Sequence, residues 1–396
     1  MRNQTVFKKV DQYTRIKEVK GLNIYPFYKE LFSAIDTEVI ITGHQKVLML
    51  GSNSYTGLTT HPEVKEAAIN AIRKYGTGCS GSRILNGTLD IHIELERALA
   101  DFVGKEDVII YPTGYSANVG VLSALMTRHD HFFMDDLNHA SLIDGALLSR
   151  AHIHKYEHNN MESLKRLFEK HKDTENLIAV DGVFSMDGDI AKLPEIVNFA
   201  EKYNTVVVVD EAHAIGVIGK DGSGTASHFG LTDKIDIIMG TFSKSLASVG
   251  GFIASDATII EFLKHWSRSL LFSASLPPAC IASALAALEI IKENPTIRDS
   301  LWRNTRQMQD GLIAAGFNIG NSETPIIPII IGPDEKAYIM TKLLLENGIF
   351  VNPVVSPAVP KNCSLIRISL MATHTETQIA YAIEKLTKTA QSLGII

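Results

Sequence analysis

Val206-Val-Val-Val-Asp210-Glu-Ala-His213 and the later run Ile235-Asp-Ile-Ile-Met239-Gly-Thr-Phe-Ser243-Lys244-Ser245 decide the fold. Four valines in succession describe a strand buried on both faces, which is the habit of parallel sheets. The aspartate that ends them falls at the strand's carboxyl end, where open α/β sheets keep their ligands. A buried Asp needs a cationic partner. Lys244, placed just after a second apolar strand, can form an imine with a carbonyl if its surroundings leave some of it unprotonated. A single lysine is most often a solvated surface charge, so the weight rests on its pairing with Asp210.

Outward from this pair, strand-length apolar runs (Val108 to Tyr111, Leu177 to Val180, Val206 to Val209, Ile235 to Met239, Gly251 to Ala254) alternate with amphipathic helical segments such as Pro62 to Tyr75 and Met161 to His171. That alternation predicts a mainly parallel, three-layer α/β domain over residues 56–285. Before it, residues 1–55 read as an N-terminal helix or arm followed by a small hairpin, Val39 to Thr42 and Val47 to Leu50. After it, residues 286–396 mix helical pattern with β-type runs at Ile326 to Ile331, Ile349 to Val355 and Leu365 to Leu370, ending in helices from about Glu335 and Glu376. This is a smaller α+β C-terminal domain. Its boundary near 285 is soft, because the segment from Ala279 reads as one long helix joining the two parts.

Composition narrows the function. A net charge of -6 and a pI near 6.2 give no basic field for nucleic acid, although they leave room for a local basic patch toward a small phosphorylated ligand. Cys79, Cys280 and Cys363 are far apart, with neither disulfide-framework nor zinc spacing, which fits a reducing, cytoplasmic setting. No apolar run has signal-peptide or membrane-spanning character. Gly76-Thr-Gly78-Cys-Ser-Gly81 matches the dinucleotide fingerprint but follows a helix pattern where that motif needs a strand. Asp210-Glu-Ala-His213 resembles a Walker B box, yet no G-x-x-x-x-G-K-[ST] loop accompanies it. His129-Asp-His131 and His152-Ile-His154 place histidine pairs on a strand face with no third ligand evident, so no metal site is expected.

Pyridoxal phosphate (PLP) explains the lysine, the strand-end aspartate and the hydroxyls around them at once: an imine partner, a counter-ion for a pyridinium nitrogen and donors for a phosphate. Thr113-Gly114-Tyr115-Ser116, after one strand and before a helix pattern, offers the free N–H groups that suit the phosphate, although turn chemistry alone also produces such a stretch. At these residues the sequence resembles a family. The Asp-Glu-Ala-His-Ala-Ile-Gly run at 210–216 and the Gly-Thr-Phe-Ser-Lys-Ser run at 240–245 are similar to those of the α-oxoamine synthases, and the likeness runs from about Gly21 to the C-terminus. These are PLP-dependent transferases of fold-type I, aspartate aminotransferase-like in architecture, which condense an amino acid with an acyl-CoA and release carbon dioxide.

The resemblance assigns roles residue by residue. It implies that Lys244 carries the cofactor and serves as the base, that Asp210 meets the ring nitrogen, and that His213 bonds the phenolic oxygen. His139 would stack on the ring and bind the substrate carboxylate, while Ser185 would touch the cofactor. Gly114 and Tyr115 would hold the phosphate with Thr241 and Ser243. In the family that phosphate also meets a neighbouring subunit; Phe272-Ser273-Ala274-Ser275 matches the segment, with Ala274 where many members have Thr. The run from Gly76 to Arg83, which includes Cys79, resembles a glycine-rich loop near the substrate entrance and dimer interface. Arg367, mid-strand among apolar neighbours, resembles the arginine that binds the amino-acid carboxylate, and Asn53 an asparagine of the same pocket. From pattern alone the alternative for Arg367 is a salt bridge to an internal Asp or Glu. The N-terminal arm would pack on a second subunit and cover the site, or else simply pack on its own domain.

Within the family, the Thr241-Phe-Ser-Lys-Ser form and the Gly-Leu-Asn-Ile-Tyr-Pro-Phe-Tyr arm at 21–28 resemble the branch that joins L-serine to palmitoyl-CoA. That branch forms 3-ketodihydrosphingosine, whereas glycine- and L-alanine-using members more often read Thr-Leu-Gly-Lys-Ala. The expectations are therefore PLP as cofactor, serine and a long-chain acyl-CoA as substrates, and a homodimer with shared active sites. No transmembrane segment is expected, and peripheral membrane contact would serve only product release.

Overall fold

The computed structural model describes residues 5–396; the first four residues of the expected arm lie outside it. The arm is two short helices, Thr5–Asp11 and Arg15–Gly21, followed by the hairpin β1 (Glu38–Ile41) and β2 (His44–Met49). The large domain holds one seven-stranded sheet made of β3 (Asp107–Tyr111), β4 (His131–Asp135), β5 (His152–Tyr156), β6 (Asn176–Asp181), β7 (Val206–Asp210), β8 (Ile237–Thr241) and β9 (Gly251–Ser255). Their spatial order is β3-β9-β8-β7-β6-β4-β5, and every strand runs parallel except β9, which is antiparallel to both of its neighbours.

Two strands are absent from the apolar runs above. His131–Asp135 and His152–Tyr156 lie at one end of the sheet, where edge strand β5 buries only Tyr156 fully, so its pattern is less apolar than that of the central strands. The central strands fit the reading of buried parallel β-structure: all six residues of β6 and all five of β8 are buried. Strand β8 starts two residues later than the apolar run suggests and includes Gly240 and Thr241, which draws the start of the lysine motif into the sheet.

Helices cover both faces of the sheet. One core gathers Leu95, Phe133, Phe168, Val209, Phe252 and Leu288; the other gathers Val121, Phe132, Leu142, Val208 and Ile253. Neighbouring strand residues such as Val208 and Val209 go to opposite cores, as the two-residue repeat of a strand requires. Helix Pro278–Glu293 buries Ile281, Ala284 and Leu288 in the first of these cores, so it packs with the large sheet up to the point where helix Thr296–Ala314 begins.

The smaller C-terminal domain holds β10 (Ile326–Gly332), β11 (Ile349–Phe350), β12 (Asn352–Val354) and β13 (Ser364–Ser369), with helices Asp334–Glu346 and Glu376–Ser392 against them. Three strands pair in the order β10-β13-β12. The fourth, β11, instead pairs in parallel with β2, so the N-terminal hairpin joins this part of the molecule rather than standing by itself. Their shared core includes Leu48, Leu50 and Tyr55 beside Ile327, Ile366 and Ile379. This is how residues around Asn53 come to lie against strand β13.

Candidate active site

Parallel strands bring their carboxyl ends to one edge of the sheet, and two carboxylates meet there. Asp181 ends β6, Asp210 ends β7, and the two are register partners, 3% and 4% exposed. Asp210 accepts a bond from Asn118 Nδ2 at 2.7 Å and one from the backbone N–H of Ala212 at 2.9 Å. Asp181 accepts the backbone N–H of His139, at 3.1 Å to the nearer oxygen. Burial and the charge of Asp210 hold the Asp181 carboxyl well above the usual carboxylate range.

Lys244 follows β8 and opens, with Asp181 and Asp210, into a cavity of about 260 Å³. Burial pulls its ammonium down to about 8, against the opposing pull of Asp210 and Asp181. A fraction of the amine is therefore free near neutral pH, which an amine must be to attack a carbonyl.

The other end of the cavity is the start of helix Gly114–Leu125. Thr113 caps it, its hydroxyl accepting the N–H of Ser116 at 3.0 Å. A side chain at position 114 would bring its Cβ within 2.9 Å of Thr241 Cβ and Oγ1, so glycine is what lets the helix start approach β8. Thr241 Oγ1 lies 2.9 Å from Ser243 Oγ, which sets two hydroxyls beside the free N–H groups of the first helical turn. Tyr115 also lines the cavity, and its hydroxyl is bonded to Asp144. His139 caps helix Ala140–Ser149, with Nδ1 2.7 Å from Ser141 Oγ and its ring on the cavity wall.

His213 stands in turns after Asp210, and it is buried. Burial, with the positive charges of Lys244 and Arg367, holds its imidazole well below the usual range, so the ring is neutral. Its Nδ1 lies 2.7 Å from the hydroxyl of Tyr55.

Arg367, on β13 and 6% exposed, donates from Nε to the carbonyl of Ser185 at 2.6 Å, and from Nη1 to Asn53 Oδ1 at 3.0 Å and Ser369 Oγ at 2.7 Å. Among the described residues it has no carboxylate partner, so the internal salt bridge left open by the sequence does not form. Asn53 and Ser185 thus gather at Arg367, with Ser185 contributing its backbone carbonyl. Ser273 and Ala274 stand apart from the cavity wall, Ala274 being exposed.

Four residues of this site went unread in the sequence. Asp181 follows the run Leu177-Ile-Ala-Val180 just as Asp210 follows its valines, and that strand-end rule could have found it. Tyr55 and Asn118 carried no comparable signal, since each acts through a partner distant in sequence, and Ser141 joins the neighbouring His139 to the distant Asn118.

The donor set fits PLP. It offers a lysine held partly unprotonated, buried carboxylates with no cation bonded to them among the described residues, and a helix start that a Cβ would obstruct. The model of the class I and II aminotransferases matches residues 45–386. The chain belongs to that family, in its α-oxoamine synthase branch. The serine palmitoyltransferase of Sphingobacterium spiritivorum is 52% identical over 382 residues, covering 96% of each chain. The 8-amino-7-oxononanoate synthase of Treponema denticola is 43% identical over 384 residues, with 96% of this chain and 97% of that one covered. A variant of the serine palmitoyltransferase of S. paucimobilis, solved with PLP and myriocin bound, superposes with a TM-score of 0.95 at 35% identity and full coverage of both chains. In this α-oxoamine synthase the matched region contains every cavity residue named above, from Gly114 to Lys244, together with Arg367.

Proposed function

We propose that this chain joins L-serine to a long-chain acyl-CoA, palmitoyl-CoA, with loss of carbon dioxide, giving 3-ketodihydrosphingosine. The observation that carries the reading is the cavity itself, where a lysine amine shifted down to about 8 faces the paired strand-end carboxylates Asp181 and Asp210. The preference for serine rests on the 52% identity to a serine palmitoyltransferase, above the 43% to the 8-amino-7-oxononanoate synthase.

PLP bound here supplies the electron sink that stabilises a carbanion at the amino acid's Cα. Gly114, Thr241 and Ser243 would hold its phosphate, Asp210 its ring nitrogen and His213 its phenolic oxygen. His139 would cover the ring face, with its loop fixed by the bond from its backbone N–H to Asp181. Lys244 takes the proton from Cα, a task that suits an amine whose proton affinity is lowered toward neutrality. Arg367 binds the substrate carboxylate; Asn53, Ser369 and the Ser185 carbonyl fix its guanidinium beforehand, so little side-chain freedom remains to be lost on binding. Holding the carboxylate would also fix the orientation of the substrate's Cα toward Lys244.

The working unit in this reading is a homodimer in the cytoplasm. Ser273 and Ala274 do not reach this chain's own cavity, and Phe272 beside them is 76% exposed, as is suitable for a segment that serves the partner's phosphate. Three free cysteines fit a reducing compartment. No helix among the described residues is long and apolar enough to cross a membrane. Contact with the bilayer surface is left to release of the lipid product, whose long chain is insoluble in water.

The test supplies the PLP-loaded protein with serine, glycine or alanine, and follows the cofactor's absorbance and carbon dioxide release with acyl-CoAs of graded length. Serine with palmitoyl-CoA is expected to give the highest kcat/KM. Turnover with glycine or alanine but not with serine would overturn the substrate assignment.

A further inference from the structure

Away from the cavity, the fold collects histidines that the sequence scattered. His131 opens β4, the end of that strand opposite to the loop carrying His139, and its register partner on β5 is His152. His154, two residues along β5, points to the same face, and its ring stacks on that of His131 at 5.0 Å with 4° between the planes. The missing third member arrives from another element: His171, the C-cap of helix Met161–Lys170, sits with its ring 4.2 Å from His154 and 4.5 Å from His131. One ring nitrogen from each of His131, His154 and His171 lies within 4.8 Å of the other two.

The hydrogen bonding of this cluster is incomplete. His131 Nδ1 and His154 Nε2 share a 2.8 Å bond, but His171 Nε2 is buried without any partner. None of the three rings pairs with a carboxylate among the described residues. A buried ring nitrogen left unpaired is costly, and such a group calls for a missing ligand.

We propose that His131, His154 and His171 form a site for a late first-row divalent cation, zinc above all, clamping the sheet edge to the end of helix Met161–Lys170. Three imidazole nitrogens suit zinc, copper and nickel and not magnesium or calcium, which take oxygen ligands. Zinc–nitrogen bonds of about 2.0–2.1 Å in a tetrahedron place ligand nitrogens about 3.3 Å apart. The gap closes by rotating side chains, with the His131–His154 bond giving way to the ion. A water or the adjacent His152, whose ring is 5.1 Å from that of His131, completes the coordination. The ion ties together two strands and a helix terminus that the unfolded chain does not hold in place, so binding stabilises the fold by mass action. No residue of the cavity takes part.

The experiment uses the PLP-loaded protein, chelator-treated and dialysed, with zinc chloride added. One zinc per chain should be retained after a second dialysis, with a raised melting temperature and an unchanged cofactor spectrum. His171→Ala and His154→Gln should each weaken zinc binding at least about a hundredfold, since even an outer-shell partner is worth ten- to a hundredfold. His265→Ala, at an exposed helix position, should leave it unchanged. Cobalt(II) in place of zinc should give visible bands of a nitrogen-ligated ion, a readout on wild-type protein that decides the matter if the variants fold poorly. Failure of the wild type to retain zinc, or equal retention by both variants, overturns the proposal.

Discussion

The hydroxyl of Tyr55 lies 2.7 Å from Nδ1 of His213, joining the N-terminal part of the chain to the cavity across 158 residues. Burial raises the Tyr55 phenol, so it stays protonated, while His213 is held neutral. A protonated phenol against a neutral ring donates to Nδ1, which leaves the proton of the imidazole on Nε2. Nε2–H is then the donor available to a cofactor oxygen. Tyr55 thereby selects the tautomer of His213, and through Asn53, 3.5 Å from its hydroxyl, it adjoins the Arg367 network.

Tyr55→Phe removes that donor while keeping the ring. We expect it to cost about 1–3 kcal/mol in folding or cofactor binding, the cost of a buried polar atom left unpaired, and to change the visible absorbance of the bound cofactor. An unaltered spectrum and PLP affinity would show that the tautomer is set elsewhere.

Lys244→Ala should abolish turnover while the protein remains folded, because the residue faces a cavity and its loss leaves no hole in the core. Borohydride treatment of the wild type should fix the cofactor to Lys244. Peptide mapping that finds the adduct on another lysine would refute the assignment.

The lowered pKa of Lys244 gives a pH test on the cofactor-free protein. With the amine at about 8, the free base is populated as pH rises through that value, well below the ordinary lysine range. The rate of PLP uptake should climb between about pH 7 and 9 and then level off. A rate still climbing past pH 10 would mean that burial does not tune this amine.

Arg367→Ala should weaken serine binding by about 1.5–3 kcal/mol, the range for hydrogen bonds to charged groups, while the spectrum without substrate stays as it is. No carboxylate among the described residues depends on this guanidinium, so the melting temperature should fall only by the loss of its bonds to Asn53, Ser369 and the Ser185 carbonyl. A depressed melting temperature with unchanged serine affinity would remove Arg367 from the substrate site.

His158 offers a stability test away from the chemistry. It bridges Asp135 and Asp189, with 2.9 Å from each ring nitrogen to a carboxylate oxygen. Burial works against its charge, yet the bonds and charges of the two carboxylates raise it to about 10. An unfolded histidine titrates near about 6.5. The bridge therefore contributes fully below about pH 6.5, and its contribution falls as pH rises from there through 10. His158→Ala, leaving a pair of carboxylates without a cation, should cost about 3–5 kcal/mol at neutral pH and flatten that part of the stability–pH curve. An identical curve in the variant would sink the idea.

How much was legible follows from how far each signal reaches along the chain. Val206 to Asp210, the lysine motif at 240–245 and the glycine at 114 are local: strand periodicity, a residue type at a strand end, and a turn that excludes a side chain are all set by near neighbours. They sufficed for the α/β class, the cofactor and part of the cavity wall, namely Gly114, Asp210, Thr241, Ser243 and Lys244. Tertiary structure decided the rest. Asp181 became half of a carboxylate pair only when β6 settled beside β7. Arg367 was read with a substrate carboxylate or an internal one as its partner, and packing β13 against the segment at Asn53, 314 residues away, gave it amide, hydroxyl and carbonyl oxygens and no internal carboxylate among the described residues. The histidine pairs looked incomplete because the third ring belongs to a helix end rather than to either strand. Hydrophobic pattern fixes which face of an element is buried, but which elements then meet depends on chain topology, and hydrogen bonds between distant side chains leave no periodic trace in the sequence.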